Sequence, residues 1–517
     1  MSKKIKINQL KAGAIISYLQ MAIQILIGLV YTPVMIRLLG QSEYGLYNTV
    51  ASTISMLSVL RLGFNNSYIR YYSIYKKRND TKAIDCLNGL FITIFSFIGI
   101  ITFVCGIFLT NHLSIVFSDG LTTSEYGIAR VLMILLTINL AISFPMSVFS
   151  NIISAHEKFV FLKCLEIIKN VLGPMVTLPL LLMGFRSIAM VSVSLTVSLI
   201  TDICYVIYVF LVLKNRFAFN KPEKGLFSDL FAYTVFIAIE LIVDQINWNI
   251  DKVLLARYKG TVMVAVYSVG YSLYTYYQTF SSSISGVFTP RIHKIVNSGT
   301  SIENQRTELT ELFTKVGRIQ FLMLALIASG VVFFGKFFIV RIWAGRGYED
   351  SYIVALLLII PASIALIQNL GIEIQRAEFK HHFRSIVYVG MACINLIMSI
   401  ILCKKYGAIG SAIGTAFSLV VANGCVMNIY YHKKCNLNII YFWKSIGKLA
   451  MGMIIPIIFG GIMTTFLKTD SIIVYLLEIL VYVLVYAVSM WKIGMNNYEK
   501  NLFQSVLGKF IKKKDKR

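Results

Sequence analysis

Long apolar runs alternate with short polar segments along the whole chain. An α-helix needs about 20 consecutive apolar residues to cross the hydrocarbon of a bilayer. About fourteen stretches meet this requirement, although Ser, Thr and Asn interrupt the second and an arginine lies near its end. The predicted spans are 12–36, 44–66, 86–110, 127–153, 159–183, 187–213, 229–256, 261–289, 313–342, 351–375, 384–403, 407–431, 443–467 and 471–491. Because backbone polar groups must be satisfied inside lipid, helices are the expected spanning element.

Two pairs of segments repeat at nearly the same distance along the chain. Arg37–Tyr47 aligns with Arg257–Tyr267 at an offset of 220 residues, and Phe185–Ala189 aligns with Tyr406–Gly410 at an offset of 221. The offset covers six spans, so both copies keep the same orientation, and a parallel repeat about an axis along the membrane normal is expected. The pattern therefore predicts an all-α polytopic membrane protein with two six-helix lobes and two added C-terminal helices. The predicted divisions are 1–220, 221–435 and 436–517.

Composition agrees with this fold class. The chain is 57% hydrophobic and 14% charged, with a mean hydropathy of +0.72, whereas soluble domains carry about 25% charged residues. The formal net charge of +25 does not indicate nucleic-acid binding, because no basic soluble domain is apparent. It instead follows the accumulation of Lys and Arg in cytoplasmic loops. With the N-terminus inside, most basic loops are cytoplasmic, the outer loop 111–126 lacks Lys and Arg, and both termini lie in the cytoplasm.

Signatures of enzymatic chemistry are missing from the sequence. The eight cysteines lie mostly in apolar runs without a CxxC pair, and the six histidines fall in loops or at predicted span ends. No phosphate-binding glycine-rich loop of the ATPase type occurs. The sequence therefore predicts a secondary transporter rather than an enzyme, without a cofactor or metal, and with coupling to H⁺, Na⁺ or the membrane potential as the open alternatives.

Ionisable residues inside the predicted spans are the main candidates for function. Each costs roughly 2.5–3.5 kcal/mol on insertion scales, so such residues usually face a cavity or a partner. In the seventh span, Asp244, Asn247 and Asp251 lie on one helical face together with Glu240. This stripe favours a water-filled groove, with Asp244 and Asp251 as ion-coupling candidates. The alternative is that neighbouring cations pair with the acids and only fix helix packing.

Cations and isolated acids in other spans extend the candidate set. An arginine fork suits a substrate phosphate, so Arg61 is a candidate phosphate ligand, although an arginine that snorkels to lipid headgroups explains it equally well. Lys169 would either face a cavity or pair with Glu166 on its own helix. Further candidates are the cations Arg130 and Lys252 for substrate binding and the acids Asp202 and Glu373 for proton or sodium coupling.

The segment 67–85 mixes tyrosines with basic residues. Tyr68, Tyr71, Tyr72 and Tyr75 are interleaved with Arg, Lys and other polar residues. Such a segment is expected either to lie on the membrane surface or to form a solvated cytoplasmic loop.

Several motifs in order resemble a known family. They are Pro33-Val-Met-Ile-Arg37-Leu-Leu-Gly40, Glu43-Tyr44-Gly45-Leu-Tyr47, Arg61-Leu-Gly63-Phe, Asn247-x-x-x-Asp251 with Gly260 and Tyr267, and Tyr406-Gly-Ala-Ile-Gly410-Ser-Ala. Their order and spacing resemble the polysaccharide and oligosaccharide (lipid-linked O-antigen type) flippases of the multidrug/oligosaccharidyl-lipid/polysaccharide exporter superfamily. The resemblance extends over nearly the whole chain, although each motif alone is loose.

The resemblance implies a flippase of the bacterial cytoplasmic membrane that moves undecaprenyl-diphosphate-linked oligosaccharide to the outer leaflet by alternating access. The product would be O-antigen, capsule, exopolysaccharide or teichoic acid. The family fold is two six-helix lobes around a V-shaped cavity, and fourteen spans match relatives whose last two helices help form a groove for the lipid tail. The family's cationic cavity suits a diphosphate, and Arg61, Arg130, Lys169 and Lys252 would supply the cations. The acidic seventh span departs from that pattern.

The expected partners are the polyprenyl-diphosphate-linked oligosaccharide, the lipid bilayer, and a polysaccharide polymerase with chain-length proteins; nucleic acid is not among them. Two other functions stay open. An ion-coupled drug or cation antiporter of the same superfamily would prefer an acidic, aromatic cavity. A membrane glycan polymerase or ligase would need a sizeable outer loop, and the loop 111–126 is short.

Overall fold

A computed structural model provides the coordinates of the 517-residue chain. It describes residues 9–61, 64–117, 121–220, 226–299, 301–378, 380, 382–467 and 471–514. Within these ranges, side chains are described except at 9–15, 65–66, 226–229, 231–237, 239–240, 244, 246 and 506–514.

Eighteen α-helices make up nearly all of the described chain. In order they are α1 Gln9–Met56, α2 Phe64–Lys77, α3 Thr81–Asn111, α4 Thr123–Ala155, α5 Phe159–Leu182, α6 Ser187–Ile207, α7 Leu226–Lys259, α8 Thr261–Gly286, α9 Thr289–Val296, α10 Ile302–Phe337, α11 Glu349–Leu366, α12 Leu370–Ala377, α13 His382–Leu419, α14 Met427–Lys433, α15 Ile439–Ala450, α16 Ile454–Phe466, α17 Ile472–Ser489 and α18 Asn497–Lys514. Short 3-10 or π-helical segments extend several of them.

Ten helical segments among the described residues are long and apolar enough to cross a membrane. The chain is therefore a multi-pass membrane protein, as the pattern predicts. Two of these segments contain a glycine with non-helical dihedrals: Gly40 in α1 has φ 77° and ψ 170°, and Gly407 in α13 has φ 58° and ψ −132°. A positive φ is accessible to glycine at little steric cost, so each of these helices consists of two arms joined at a sharp break.

The described helices form two compact units. Unit 1 contains Met1–Val269, Ile342–Ser351 and Tyr388–Thr415; unit 2 contains Gly270–Arg341, Tyr352–Val387 and Ala416–Arg517. In unit 1, α1 packs against α4, α5 and α7, while α3 packs against α4. In unit 2, α10 packs against α15 and α16 packs against α17.

The tyrosine-rich segment after the first predicted hairpin forms helix α2 and belongs to the core of unit 1. Tyr68, Tyr72 and Tyr75 are each 3% exposed or less. The Tyr68 hydroxyl donates to Asn88 Oδ1 at 2.7 Å, and the Tyr72 hydroxyl lies 2.9 Å from His156 Nε2. Both sequence interpretations of this segment are therefore wrong for these three rings, because helical spacing turns them toward α3 and α4.

An extended segment after α6 is fixed to the beginning of α3. Ala218 N donates to the Asp85 carbonyl at 2.9 Å, and Asn88 Nδ2 donates to the Arg216 carbonyl at 3.0 Å. Gly89 leaves room for this contact, since a Cβ there would lie 2.0 Å from the Ala218 carbonyl oxygen. The first part of the connection between the predicted lobes is thus bound to unit 1.

A buried ion pair fixes the C-terminal helix of unit 2. Arg318 and Glu499 have side chains 8% and 1% exposed, and two guanidinium nitrogens of Arg318 contact the carboxylate at 2.5 and 2.9 Å. The same guanidinium donates to the carbonyls of Ser445 and Gly494. Through Arg318, the beginning of α18 is therefore joined to α10, to the middle of α15 and to the π-helical segment that follows α17.

Candidate functional site

A buried carboxylate in unit 1 has several polar neighbours among the described residues. Asp251 is fully buried on α7. Its Oδ2 accepts hydrogen bonds from the Tyr267 hydroxyl at 2.9 Å and from Thr415 Oγ1 at 2.8 Å. Its Oδ1 is also buried and accepts no hydrogen bond from the described residues. Oδ1 is therefore the less hydrogen-bonded of the two carboxylate oxygens, with the Ser399 hydroxyl beside the carboxylate.

Polar side chains of α13 complete the surroundings of Asp251. The Ser399 hydroxyl lies beside the carboxylate and donates to Asn395 Oδ1 at 3.3 Å. Asn395 Nδ2 in turn lies 3.5 Å from Thr415 Oγ1. Asn395, Ser399 and Thr415 are each 2% exposed or less. We call Asp251, Tyr267, Asn395, Ser399 and Thr415 the Asp251 cluster.

Two chain reversals bring the Asp251 cluster together. Gly260 has φ +84°, and α8 begins directly after it. This break folds α8 back beside α7, so that Tyr267 reaches the carboxylate 16 residues earlier. The break at Gly407 likewise returns the second arm of α13 along the first. A Cβ at Gly414 would lie 2.9 Å from Ser399 Oγ, so the two arms approach closely at the level of the cluster.

The oxygen set of the Asp251 cluster suits a small monovalent ion. It combines one carboxylate with hydroxyl and amide oxygens. Among the described residues, no group of three or more His, Cys, Asp and Glu side chains is placed to hold a metal ion. Calcium sites use several carboxylates and carbonyls, and zinc sites use His and Cys. The cluster thus has one carboxylate, beside the buried Lys252, and lacks the ligand set of a divalent-metal site.

The other candidates of the seventh span lie near this cluster in sequence. Lys252 is buried beside Asp251, with 8% of its surface exposed. Asn247 is half-buried one turn earlier on α7. The side chains of Glu240 and Asp244 lie outside the described residues. The face that the four polar residues were predicted to share is therefore described only at Asn247 and Asp251.

Arg61 ends the 3-10 helix that follows α1. Its Cζ lies 5.4 Å from the centroid of the Phe144 ring on α4, within the range of a cation–π interaction. Its Nε is buried and makes no hydrogen bond with the described residues. Arg61 therefore has a buried N–H group without a partner among the described residues, beside the ring of Phe144.

Charged groups on α5 and α6 form a second polar area in unit 1. Glu166 pairs with Lys163 at 2.8 Å, three residues earlier, rather than with Lys169 as the plain interpretation proposed. Lys169 is half-buried, and its charge acts on the half-buried Asp202 of α6. Both Glu166 and Asp202 act electrostatically on Tyr205. The structure thus brings together two candidates, Lys169 and Asp202, that the sequence treated separately.

Two candidates lie near the surface, Arg130 at an exposed position and Glu373 at a half-buried one. Arg130 is exposed in the second turn of α4, where one Nη lies 3.4 Å from Asn111 Oδ1 at the end of α3. Glu373 lies on the short helix α12 of unit 2 and forms an ion pair with Arg376 at 2.9 Å. The structure places neither residue in a buried polar site.

An apolar groove lies in unit 2 between α8, α10 and α17. It has a volume of about 260 Å³ and is lined by residues such as Leu273, Gly330, Phe334 and Tyr482. Tyr475 borders it and donates its hydroxyl to the Phe334 carbonyl at 3.2 Å. The hydroxyl of this ring is therefore satisfied by the protein, and the groove presents an almost wholly apolar wall.

Sequence reasoning identified Asp251 and named Tyr267 in the same motif, but it missed the partners on α13. Asn395 and Ser399 are four residues apart, as are Ser411 and Thr415, in stretches that are otherwise apolar. This spacing places each pair on one helical face. These paired polar positions were the sequence signal that could have indicated the partners of Asp251. The pattern alone does not show which helical face contacts α7.

Comparisons with known proteins agree with this architecture. A family model described as "Polysaccharide biosynthesis protein" matches residues 10–296, which is more than half of the chain. An uncharacterized membrane protein of Methanocaldococcus jannaschii is 24% identical over 400 residues, covering 73% of this chain and 75% of that protein.

Solved structures show the same fold. The lipid II flippase MurJ in an inward closed conformation matches with a TM-score of 0.69 and 17% identity, over 96% of this chain and 99% of that one. An inward-facing multidrug resistance MATE family transporter of the MOP superfamily matches with a TM-score of 0.59 and 12% identity, over 82% and 99%. The family resemblance seen in the sequence motifs is confirmed. This chain belongs to the polysaccharide biosynthesis protein family and has the fold of the MOP superfamily transporters.

Proposed function

We propose that the protein is a flippase that moves an undecaprenyl-diphosphate-linked oligosaccharide across the bacterial cytoplasmic membrane for surface polysaccharide synthesis. The observation that carries this proposal is the family match over residues 10–296 on a chain whose fold resembles a lipid II flippase. The head group would cross through a polar cavity by alternating access while the polyprenyl tail stays in lipid. This route avoids placing the diphosphate in hydrocarbon, where an unpaired charge is costly.

The topology we propose has fourteen spans. It takes the ten long apolar segments, counts α1 and α13 twice because of Gly40 and Gly407, and adds α7 and α8. Six spans form each lobe, 1–220 and 221–435, and the last two belong to 436–517. The positive-inside rule places both termini in the cytoplasm. A polysaccharide polymerase and chain-length proteins would act on the product at the outer face.

Arg61 is the residue we assign to the diphosphate. Its guanidinium is held against Phe144, and its Nε is buried without a hydrogen bond to the described residues. A phosphate oxygen would supply the acceptor, and arginine forks pair well with such groups. Lys169 is the second cation we assign to the head group, with Asp202 nearby to set its position. Lys252 and Asn247 on α7 extend the proposed polar surface, whereas Arg130 would meet the head group only near the outer loop.

The apolar groove of unit 2 is the place we assign to the lipid tail. Its walls come from α8, α10 and α17, and an isoprenoid chain requires an apolar wall without unsatisfied polar groups. The hydroxyl of Tyr475 is already bonded within the protein. A branched isoprenoid chain in this groove would therefore meet a mainly apolar wall, with the Tyr482 hydroxyl as its buried polar group.

We assign ion coupling to Asp251. The carboxylate has one oxygen occupied by two hydroxyl donors and one without a hydrogen bond from the described residues. A proton or a sodium ion at Oδ1 would neutralise the buried charge. Asp202, Asp244 and Glu373 are secondary candidates for this role.

The test is leaflet exchange in proteoliposomes that contain the purified protein and a fluorescent undecaprenyl-diphosphate oligosaccharide, with and without proton and sodium gradients. Exchange should depend on the protein and fall strongly in Arg61→Ala. Arg78→Ala, which removes an exposed arginine in the turn before α3, is the matched control and should keep wild-type exchange. Loss of exchange in both variants, or in neither, would remove Arg61 from the diphosphate site.

A second function has support from the buried acid Asp251 and from the fold shared with a multidrug transporter. An ion-coupled cation antiporter would give no leaflet exchange in the same proteoliposomes but would expel a cationic dye against a gradient. Dye efflux without lipid exchange would replace the flippase proposal. A glycan polymerase or ligase would instead give a longer glycan product from the same substrate.

A further inference from the structure

Two arginines at matching positions of the sequence repeat hold the ends of helices from the opposite repeat. Arg37 Nη2 donates to the Ile342 carbonyl at 2.5 Å, and Arg257 Nη1 donates to the Ile115 carbonyl at 2.7 Å. Ile342 lies in the π-helical end of α10, and Ile115 ends the 3-10 turn after α3. All four residues belong to unit 1. The first repeat thus holds a helix end of the second, and the second holds a helix end of the first.

The two arginines occupy equivalent backbone positions. Each comes three residues before a glycine with a positive φ, Gly40 at +77° and Gly260 at +84°. Last-turn carbonyls of a helix lack intrahelical partners and carry partial negative charge, so a guanidinium is a suitable cap for them. The same chemistry therefore occurs twice, in crossed directions.

Further contacts fix the segment Ile342–Ser351, which follows α10. Gln41 Nε2 donates to the Gly347 carbonyl at 2.8 Å, and the Ser351 hydroxyl donates to the Val266 carbonyl at 2.7 Å. Trp343 in this segment is 1% exposed. The segment belongs to unit 1, although the chain on both sides of it belongs to unit 2. Hydrogen bonds therefore join the segment to both α1 and α8.

A direct contact between the repeats lies beside these bonds. Ser42 Oγ, two residues after Gly40, is 2.9 Å from Thr261 Oγ1, the first residue of α8. In the proposed topology, the breaks at Gly40 and Gly260 are where spans one and seven leave the membrane on the outer side. All of these contacts therefore gather at one end of the proposed transport path.

We propose that Arg37 and Arg257 form a paired outer latch, and that both arginine–carbonyl bonds break when the transporter opens outward. Both bonds are exposed to solvent, so water can replace either partner when the bond opens. The two latch bonds differ in this respect from the Arg318–Glu499 pair, which is buried and cannot exchange its partner for water. The latch rests on the proposed transport function, but it does not depend on the identity of the substrate.

The closing experiment measures access from outside to a buried reporter. Thr49 is fully buried on the second arm of α1, nine residues after the break at Gly40, and Thr49→Cys gives a buried thiol as the reporter. A membrane-impermeant thiol reagent is added to intact cells, and the parent with its eight native cysteines gives the background. Arg37→Ala and Arg257→Ala should each raise the labelling rate several-fold, and the double variant should raise it further.

Arg346→Ala is the matched control, because it removes an exposed arginine from the same segment that holds Ile342. It should leave the labelling rate unchanged. If the two arginines only cap helix ends, labelling will stay at the wild-type rate in all variants, and the latch is excluded. An equal rise in Arg346→Ala would also exclude it. Labelling requires no substrate, so failure of the flippase proposal would not alter this result.

A second measurement covers the case in which the alanine variants do not fold. Ser42→Cys with Thr261→Cys, in the native arginine background, replaces two hydroxyl oxygens that are 2.9 Å apart by sulfurs that bond at about 2.05 Å. Mild oxidation should link them rapidly, as read by mass spectrometry of the linked peptides. Absence of the link would mean that these ends are apart in the resting protein, which would overturn the latch.

Discussion

Asp251→Asn separates the folding role of this residue from its proposed coupling role. The amide has nearly the shape of the carboxylate, and its oxygen can still accept from the Tyr267 hydroxyl and from Thr415 Oγ1. Its NH₂ group then takes the place of Oδ1, which has no hydrogen bond from the described residues. A buried polar group left without a partner costs about 1–3 kcal/mol. The variant should therefore fold with a modest loss of stability.

The effect on a bound cation should be much larger. A unit charge about 2.5 Å from a carboxylate, at an effective dielectric constant of about 20, gains on the order of 6 kcal/mol of attraction. The neutral amide does not pay the cost of burying a charge, and this offsets part of the attraction that Asp251→Asn loses. A residual loss of about 3 kcal/mol still lowers ion affinity more than 100-fold, because each 1.4 kcal/mol corresponds to a factor of ten. The dependence of transport on the ion should therefore be lost in Asp251→Asn, rather than moved to a different ion concentration.

The assay is initial transport rate in proteoliposomes against Na⁺ at fixed pH, and against pH without Na⁺. The wild type should depend on one of these two ions, and Asp251→Asn should depend on neither. Glu311→Gln, an exposed acid paired with Lys315 on α10, is the matched control and should retain the wild-type ion dependence. A fully folded Asp251→Asn protein with unchanged ion dependence would refute the assignment of coupling to this carboxylate.

Three further predictions concern stability. Gly89→Ala should lower the unfolding temperature and raise proteolysis in the connection between the predicted lobes, because its Cβ would lie 2.0 Å from a carbonyl oxygen of that segment. Gly127→Ala is the control, because the space around its Cβ is open, and it should change neither measurement. Arg318→Ala should cost about 3–5 kcal/mol by leaving a buried carboxylate unpaired, while the exposed Lys315→Ala should cost under about 1 kcal/mol. Burial and the charge of a nearby lysine lower the pKa of His156 below 6.5. The unfolded chain then binds this proton first as pH falls through 6.5, so stability should decline there, and His156→Asn should flatten the decline measured by thermal unfolding.

The membrane class and most helix positions follow directly from the sequence. Apolar runs of the required length mark the spans, and glycine marks two places where a continuous helical pattern had to break. The sequence predicted spans on either side of Gly40 and near Gly407, and the structure has sharp breaks at both glycines. Hydropathy does not show which helices pack together, because all of them must be apolar in lipid. Hydropathy therefore could not predict which segments make up the two packed units. In the structure, Ile342–Ser351 and Tyr388–Thr415 belong to unit 1.

Interpretations of polar and aromatic side chains were less dependable than those of the spans. The tyrosines of α2 read as a surface or loop segment because basic residues separate them in the sequence. Helical spacing places Tyr68, Tyr72 and Tyr75 on one face, and that face packs into the core. Glu166 forms its ion pair with Lys163 and not with Lys169, although both lysines lie three residues away. For the tyrosines and for Glu166, spacing along the helix permitted more than one arrangement. The arrangement that occurs could be seen only in the packed structure.

The Asp251 cluster shows where the limit lies. An acid in an apolar helix is costly in lipid, which makes Asp251 a functional candidate from the sequence alone. Its neighbours Asn395, Ser399 and Thr415 are neutral, so they cost less and give only a weak signal in hydropathy. They lie 144 residues or more along the chain from Asp251, and the return of α13 at Gly407 brings both of its arms to the carboxylate. A charge can therefore be located by its energetic cost in the sequence, but the neutral side chains that surround it become apparent only when the helices are packed.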